Sequence, residues 1–314
     1  MKPKLHYVLL ICLVCDFTLL AQSSHSKKGQ AASTATKAGA SADWKAVDDA
    51  MGRTGQDQPD GARKYGMPRK DLSVTVNGVQ VKAGFALGSW AAFSHPGKNS
   101  TVMGDLVLTE DEVAPVMEKL QSGGIDVTAL HNHLLHETPR VMYMHIHGMG
   151  DAAALGKAIH DALAETKTPG PNAAASAGAP SEQDIGINIA QIEQAIGHKG
   201  KVNNGILQVS VPRAEHVTDN GMAVPGSMGL ATGINFQPTG DGKAAVTGDF
   251  VLIAKEVNPV IKTLASHAIM VTALHSHMLT EQPRLFFMHF WGNDDAVKLA
   301  QGLGAALKQT NSKK

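Results

Sequence analysis

The sequence predicts an α+β fold built from two homologous repeats, each a mostly antiparallel sheet packed against helices. The first observation is an internal duplication: the segment 128–148 recurs at 272–292 with three of its histidines, a glutamate and a Pro-Arg pair at identical offsets. A second shared string begins at Gly104 and again at Gly248. The apolar patterns predict the order α-β-β-β-β-α-β-β-α in each copy. Two copies are too few for a solenoid, so we expect the repeats to pack on each other as a pseudo-symmetric pair.

Shifts in composition divide the chain into six predicted segments. These are a signal peptide at 1–21, a flexible linker at 22–42, a first repeat domain at 43–166, a linker at 167–184, a second repeat domain at 185–309 and a tail at 310–314. Both linkers are rich in alanine and serine and lack apolar periodicity, which is typical of a segment that forms no packed core.

The first 21 residues have the pattern of a secretory signal. Lys2 and Lys4 precede a largely apolar run, and Ala21 offers a cleavage site before Gln22. The run is interrupted by Asp16 and is short for a membrane span, which needs about 20 apolar residues. We therefore expect an exported protein, periplasmic or extracellular, with no transmembrane span in the mature chain; an uncleaved anchor is the alternative. Neither cysteine follows a lipoprotein consensus, which argues against lipid anchoring.

The composition excludes several classes of function. Both cysteines, Cys12 and Cys15, lie in the signal segment, so the mature chain has no thiol for catalysis, zinc binding or a disulfide. The formal net charge is zero at pH 7, whereas a nucleic-acid surface needs a basic face. The partners that remain are a small molecule or a component of the cell envelope.

The first copy begins and ends with a helix. Its predicted elements are a helix at 43–52, a hairpin at 72–81, strands at 85–93 and 101–108, a helix at 112–121, strands at 125–134 and 140–147, and a helix at 151–164. The pair Asn77-Gly78 is a strong hairpin signal. Pro115 suits the first turn of its helix, and Gly123 marks that helix's end.

The second copy repeats this order. Around its own histidine segment, it predicts a helix at 189–197, strands at 206–211, 226–239 and 244–253, a helix at 259–267, and a last helix at 294–307.

The repeated histidine segment is the candidate site. Side chains alternate along a strand, so His131 and His133 emerge on one face. With Val141 opposite His133 in the return strand, His145 becomes a diagonal neighbour of His131, roughly 7 Å away between backbones. Imidazoles at such positions converge on one ion, and Glu137 in the turn offers an oxygen. The metal ligands predicted in the two repeats are His131, His133, Glu137 and His145, and His275, His277, Glu281 and His289.

Alternatives stay open for this segment. Ile125, Val127 and Ala129 have the same parity as the histidines, which also fits histidines that cap a core and bond to the backbone. If a metal binds, two or three histidines with a carboxylate and open positions suit Zn(II), Fe(II) or Mn(II). Nearby methionines favour copper, but Met142 and Met144 have the opposite parity, which makes copper the minority interpretation.

Charged residues near the segment are candidates for ligand binding or catalysis. Arg140 and Arg284 begin the return strands, where a guanidinium binds a carboxylate or phosphate bidentately. The alternative is a salt bridge to Glu137 or Glu281, or to Asp105 or Asp249. Asp105 and Asp249 each follow a glycine where a strand opens, as turn-stabilising residues or as general bases. The candidate catalytic residues are Glu137, Asp105, Glu281 and Asp249.

The strings TALHSHMLTEQPRLFFMHFWG and TALHNHLLHETPRVMYMHIHG resemble the LppY/LpqO-like family. These are exported proteins, often described as lipoproteins, that are built on a domain of unknown function. The resemblance covers both halves, from about residue 43 to 308. It implies export and carries no established activity or catalytic assignment.

Two functional hypotheses follow. On the first, an exported protein binds a divalent metal through the histidine segment of each repeat, as a metal-dependent hydrolase or another metalloenzyme. On the second, the histidines and arginines of a non-catalytic module contact a small molecule or a cell-envelope component directly. Whether the protein is an enzyme stays open, as does whether both copies are active.

Overall fold

The structure, a computed structural model, describes residues 43–170 and 184–313. The predicted signal peptide at 1–21, the linker at 22–42 and most of the linker at 167–184 lie outside the described residues. No helix in the described ranges is long and apolar enough to cross a membrane. Ser41–Lys314 cluster as one unit, so the two repeats are described together.

The first repeat forms a six-stranded antiparallel sheet with helices beside it. Its elements in chain order are α1 (Lys45–Met51), β1 (Gln56–Asp57), β2 (Arg63–Pro68), β3 (Val74–Val76), β4 (Val79–Val81), α2 (Ala83–Ala86), β5 (Gly88–Phe93), β6 (Ser100–Thr109), α3 (Glu110–Ser122), β7 (Asp126–His131), β8 (Glu137–Thr138), β9 (Val141–Gly150) and α4 (Ala152–Leu163). The strand order across the sheet is β1-β2-β5-β6-β9-β7.

The second repeat has the same build. Its elements are α5 (Ile189–Ile196), β10 (Gly200–Asn203), β11 (Ile206–Pro212), β12 (Thr218–Asp219), β13 (Met222–Ala223), β14 (Ala231–Gly240), β15 (Lys243–Leu252), α6 (Ala254–Ser266), β16 (Met270–His275), β17 (Phe286–Asp295) and α7 (Ala296–Leu307). The strand order β10-β11-β14-β15-β17-β16 matches that of the first sheet.

The elements stack in four layers, helices–sheet–sheet–helices. Helices α1, α3 and α4 bury Leu120 and Ile159 against Ile146 on one face of the first sheet, and α5, α6 and α7 cover the second sheet in the same way. The two uncovered faces meet, with Tyr143 of the first sheet in one core with Trp291 of the second. The predicted α+β fold with two repeats is confirmed, and the repeats do pack on each other.

A buried arginine ties the crossover helix to each sheet. Arg69 donates from Nη1 to the carbonyl of Val107 and to Glu112 Oε2, both at 2.7 Å. Glu112 also accepts from the backbone N–H of Thr109 at 2.9 Å, at the start of α3. In the second repeat, Arg213, Val251 and Glu256 make the same contacts. Helix α3 connects β6 to β7. These two strands run in the same direction, and β9 lies between them and pairs antiparallel with both.

Several elements differ from the sequence prediction. The strand β2 was not predicted, because Gly66 and Pro68 obscure its alternation. The hairpin at Asn77-Gly78 is present, but it pairs with β8 in a separate three-stranded sheet. The strands β10, β12 and β13 were also missed. Residues 226–230, predicted as strand, turn back through a bond from Leu230 N to the carbonyl of Gly226.

A β-bulge decides which side chains of the histidine strand face the interface. The pairing of β7 with β9 shifts between Val127 and Ala129, so Thr128 is the extra residue. One inserted residue reverses the parity of everything before it. Ile125 and Val127 therefore pack into the helix-side core, while Ala129 and His131 face the second sheet. The expectation that all three apolar residues share the histidine face is wrong for Ile125 and Val127.

We predict that Arg69→Met lowers the free energy of unfolding by about 3–5 kcal/mol, because Glu112 then stays buried without its ion pair. Urea unfolding followed by circular dichroism measures the loss. Arg140→Met is the control: this arginine side chain is 64% exposed, and its loss should change stability by less than about 0.5 kcal/mol. Equal losses in the two variants would contradict the role of Arg69.

Candidate metal centre

The two bulge threonines join the histidine segments across the repeat interface. Thr128 Oγ1 donates to the carbonyl of His277 at 2.8 Å. Thr272 Oγ1 donates to the carbonyl of His133 at 2.5 Å. Each threonine thus binds the backbone of a histidine in the other repeat. The two hydrogen bonds are equivalent under the pseudo-twofold symmetry that relates the repeats.

Six histidine rings interleave at this junction, three from each repeat. The closest histidine pairs all join one repeat to the other, with centroids 3.9, 3.7 and 3.9 Å apart: His131 with His275, His133 with His289, and His145 with His277. The segments that the sequence placed in two separate sites therefore form one shared cluster.

Four of these rings converge on the pseudo-twofold axis. The ligand nitrogens of His131, His145, His275 and His289 all lie within 4.8 Å of one another. An ion bound by four imidazoles holds their nitrogens about 3.3 Å apart. Side-chain shifts of about 1 Å or less therefore bring the set to ligand distance, and each repeat supplies half of it.

Two aspartates flank the four-histidine group. Asp105 Oδ2 lies 3.2 Å from His133 Nε2, and Asp249 Oδ2 lies 3.0 Å from His277 Nε2. Two further groups have metal-ligand spacing: Asp105, His133 and His145, and Asp249, His275 and His277. These groups share His145 and His275 with the central one. The donor set therefore suits one ion on the axis or two ions beside it.

The predicted ligands Glu137 and Glu281 lie outside the ligand groups formed by the described residues. Glu137 accepts from Asn132 Nδ2 at 2.9 Å. Glu281 is buried, accepts from Leu285 N at 2.8 Å and lies 3.2 Å from Arg284 Nη1. Both glutamates hold the loop between the histidine strands. The carboxylates in these groups are Asp105 of β6 and Asp249 of β15, which the sequence put forward as candidate catalytic residues.

Burial favours the neutral form of five of the six clustered histidines. It is the largest cause that lowers the pKa of His133, His145, His275, His277 and His289. The pKa of His277 and that of His289 each fall to about 3. Burial also raises the pKa of Asp249 to about 6. A neutral imidazole offers the lone pair that a metal ion needs.

Each histidine of the central group has one buried nitrogen without a hydrogen-bond partner. These atoms are Nε2 of His131, His145 and His289, and Nδ1 of His275. A buried polar atom without a partner costs free energy, and native proteins keep few of them. Core histidines that only cap a hydrophobic cluster would bond to the backbone through both nitrogens or face water.

The cluster forms one wall of a cavity of about 340 Å³ between the repeats. The first repeat contributes Asp105, His133 and His145, and the second contributes Asp249, His277 and His289. The remaining lining includes Lys64, Phe85, Trp90, Gln208 and Asn235. A small molecule in this cavity therefore lies beside four of the six histidines and both aspartates.

The predicted ligand-binding arginines do not line this cavity. The Arg140 side chain is 64% exposed, and its Nη1 lies 3.9 Å from Glu110. Arg284 donates to the carbonyl of Met278 at 3.1 Å and to Glu281 at 3.2 Å. Arg284 thus makes the ion pair with Glu281 that the sequence offered as the alternative, whereas Arg140 lies near Glu110, which was not among the expected partners.

A polar pair beside the cluster breaks the symmetry of the repeats. His147 Nε2 lies 2.8 Å from Asp219 Oδ2, and Thr280 donates to Asp219 Oδ1 at 2.7 Å. At the equivalent place in the other repeat, Trp291 and Val76 share an apolar core. Asp219 and Val76 each precede the Asn-Gly turn of a hairpin. His147 and Asp219 are both more than nine-tenths buried.

Comparison with known proteins identifies a family for both repeats. A family model described as Domain of Unknown Function (DUF1259) matches residues 45–165 and 190–309. No curated protein matches the chain. A crystal structure of a trimeric bacterial microcompartment shell protein, PduB, is 12% identical over 81% of this chain and 89% of that chain, with a TM-score of 0.22. A similarity at that TM-score carries no conclusion about fold or function.

We predict that the metal-free protein loses thermal stability as the pH falls from 7 to 5. His277 and His289 have pKa values of about 3 when folded, against about 6.5 when unfolded. The unfolded chain then binds more protons below pH 6.5, so stability is lost as the pH falls toward 3. Asp249, whose pKa is raised, adds stability as the pH falls from about 6 to 3.8. This single carboxyl offsets only part of the loss from the histidines.

Melting curves in EDTA should show a fall of about 5–10 °C in Tm between pH 7 and pH 5. Replacing His277 and His289 by glutamine should flatten this dependence. A Tm at pH 5 equal to that at pH 7 would show that the histidines are not held neutral.

We also predict that the His147–Asp219 pair costs stability relative to its apolar counterpart. Asp219→Val alone and His147→Trp alone should each lower the free energy of unfolding, since one buried polar partner is left behind. The double variant has valine and tryptophan at these positions, like the equivalent pair Val76 and Trp291. It should be at least as stable as the wild type. A double-mutant cycle by urea unfolding measures this; additive losses would contradict it.

Proposed function

The chain belongs to the Domain of Unknown Function (DUF1259) family, whose description names no activity, and we propose that it binds a divalent metal ion in a centre shared by its two repeats. We further propose that the protein is exported, which the segment 1–21 and the LppY/LpqO-like resemblance support.

One observation carries the metal proposal. Four histidines, two from each repeat, present nitrogens within 4.8 Å of one another, and each has a buried nitrogen without a partner. Four buried imidazole nitrogens without hydrogen-bond partners are unfavourable unless something accepts their lone pairs. A divalent ion satisfies all four at once.

The donor set narrows the choice of metal. Imidazole nitrogens suit Zn(II) and Fe(II), and the two aspartates add the oxygen ligands that Mn(II) prefers. Thioether sulfur would favour copper, but Met144 and Met288 pack into the two helix-side cores. We therefore propose Zn(II), Fe(II) or Mn(II) rather than copper.

The cavity suggests a metal-dependent hydrolase. A bound divalent ion polarises a carbonyl or phosphoryl oxygen and lowers the pKa of water. Asp105 and Asp249 line the cavity beside the histidines, where a carboxylate can take or return a proton.

The four-histidine group favours a second candidate, a non-catalytic module. Four protein ligands around one ion leave no open position, which is typical of a structural or storage site. In that case the cavity binds a small molecule or a cell-envelope component without chemistry. Ions in the two groups that contain aspartate, by contrast, keep open positions for water and substrate.

We predict that protein purified without a His tag, from medium supplemented with zinc, iron and manganese, retains one or two equivalents of metal. Elemental analysis by mass spectrometry measures this. Replacing His131 and His145 by alanine removes two of the four histidines of the central group, both from the first repeat. If one ion is shared by both repeats, this double variant should lose well over half of the metal. With two ions in the separate aspartate-containing groups, it would instead lose about half, because His145 belongs to one of those groups and neither replaced histidine belongs to the other.

The control is the double variant His95→Ala and His216→Ala, which removes two exposed histidines outside the cluster and should retain all metal. Less than about 0.1 equivalent in the wild type, with no metal-induced rise in Tm, would refute the proposal, since a tightly bound ion stabilises by mass action. Full retention in the His131/His145 variant would show that other residues hold the ion.

A further inference from the structure

Lys64 introduces a positive charge into the cavity that faces the histidine cluster. Among the described residues that line this cavity, it is the one lysine or arginine. Its Nζ lies 4.3 Å from the centroid of the Trp90 ring. No described carboxylate forms an ion pair with it. The cation is therefore placed over an aromatic face with no anionic partner of its own.

Burial makes this unpaired cation unfavourable. It lowers the pKa of Lys64, and the attraction of Asp105 acts weakly in the opposite direction. A partly desolvated ammonium gains more from an anion than a fully hydrated one does, because the local dielectric is lower. An anionic ligand group beside Nζ would supply the missing partner through a charge-assisted hydrogen bond.

Comparison of the two repeats shows that this lysine is present on only one wall of the cavity. Lys64 and Gln208 are equivalent, since each lies five residues before the buried arginine of its repeat, Arg69 or Arg213. Gln208 lines the same cavity from the second repeat. The wall of the first repeat therefore carries a charge where the wall of the second carries a neutral amide.

The residue opposite the cluster aspartate also differs between the two repeats. Trp90 lies opposite Asp105 in the first sheet, and Gly233 lies opposite Asp249 in the second. Both Trp90 and Gly233 line the cavity. A symmetric metal centre thus faces an asymmetric cavity, with a cation and an aromatic plate on one side and an amide and a glycine on the other.

We propose that Lys64 binds the anionic group, a phosphate or a carboxylate, of a small molecule whose other end reaches the histidine cluster. Trp90 forms the apolar wall against which the body of that molecule packs. The assignment rests on the proposed function in one respect, that the cavity is where ligand and metal meet. It adds the class of ligand, a small organic anion.

The test compares Lys64→Met with Gln208→Met, two substitutions to the same residue on opposite walls. Inorganic phosphate and acetate are titrated into metal-loaded protein by calorimetry, and the stronger of the two identifies the anionic group. Lys64→Met should weaken binding of that anion by about 10- to 100-fold, while Gln208→Met changes it less than threefold. Lys64→Arg, which keeps the charge, should stay within about tenfold of the wild type.

The readouts separate this proposal from the metal proposal. Metal content should be the same in Lys64→Met and the wild type, because Lys64 is not a metal ligand. The same titrations on metal-stripped protein should still show weaker anion binding in Lys64→Met. Equal affinities in Lys64→Met and the wild type for both anions, or no binding of either anion by the wild type at millimolar concentration, would overturn the proposal whatever the metal content.

Discussion

Buried imidazoles that face one another across a pseudo-twofold axis are the constraint on which the rest of the structure depends. They must be buried, and the two sheets achieve this with the faces that the helices leave uncovered. They must also meet in register, and the hydrogen bonds of Thr128 and Thr272 fix one histidine loop against the other. The arginine–glutamate pairs hold the crossover helices that precede the histidine strands.

Much of the fold was readable from the sequence because its signals are local. Apolar period and turn residues gave the helices, the Asn77-Gly78 hairpin and the α+β class. The predicted pairing of the histidine strands has the observed register, since His131 lies opposite Tyr143 and continuing that register places His133 opposite Val141. The bulge at Thr128 could not be predicted. Ile125, Val127, Ala129 and His131 alternate regularly in the sequence, so nothing marks the point where the strand changes face.

The site was readable only in part, because its assembly is not local. The histidines were identified, but a repeat examined alone gives no sign that His131 stacks on His275. The carboxylates were assigned to the nearest glutamates in sequence, whereas Asp105 and Asp249 reach the cluster from β6 and β15. One signal was available: both aspartates sit in the second string that the two copies share.

A site divided equally between two repeats has a consequence for the origin of this architecture. Two of the four axial histidines come from each repeat, so one repeat alone holds half of a centre and must pair with a second copy to complete it. Joining the copies in one chain replaces a concentration-dependent association with an intramolecular one. It also frees each half to change independently, which identical subunits related by symmetry cannot do. The cavity walls and the His147 contact are where the two halves have since differed.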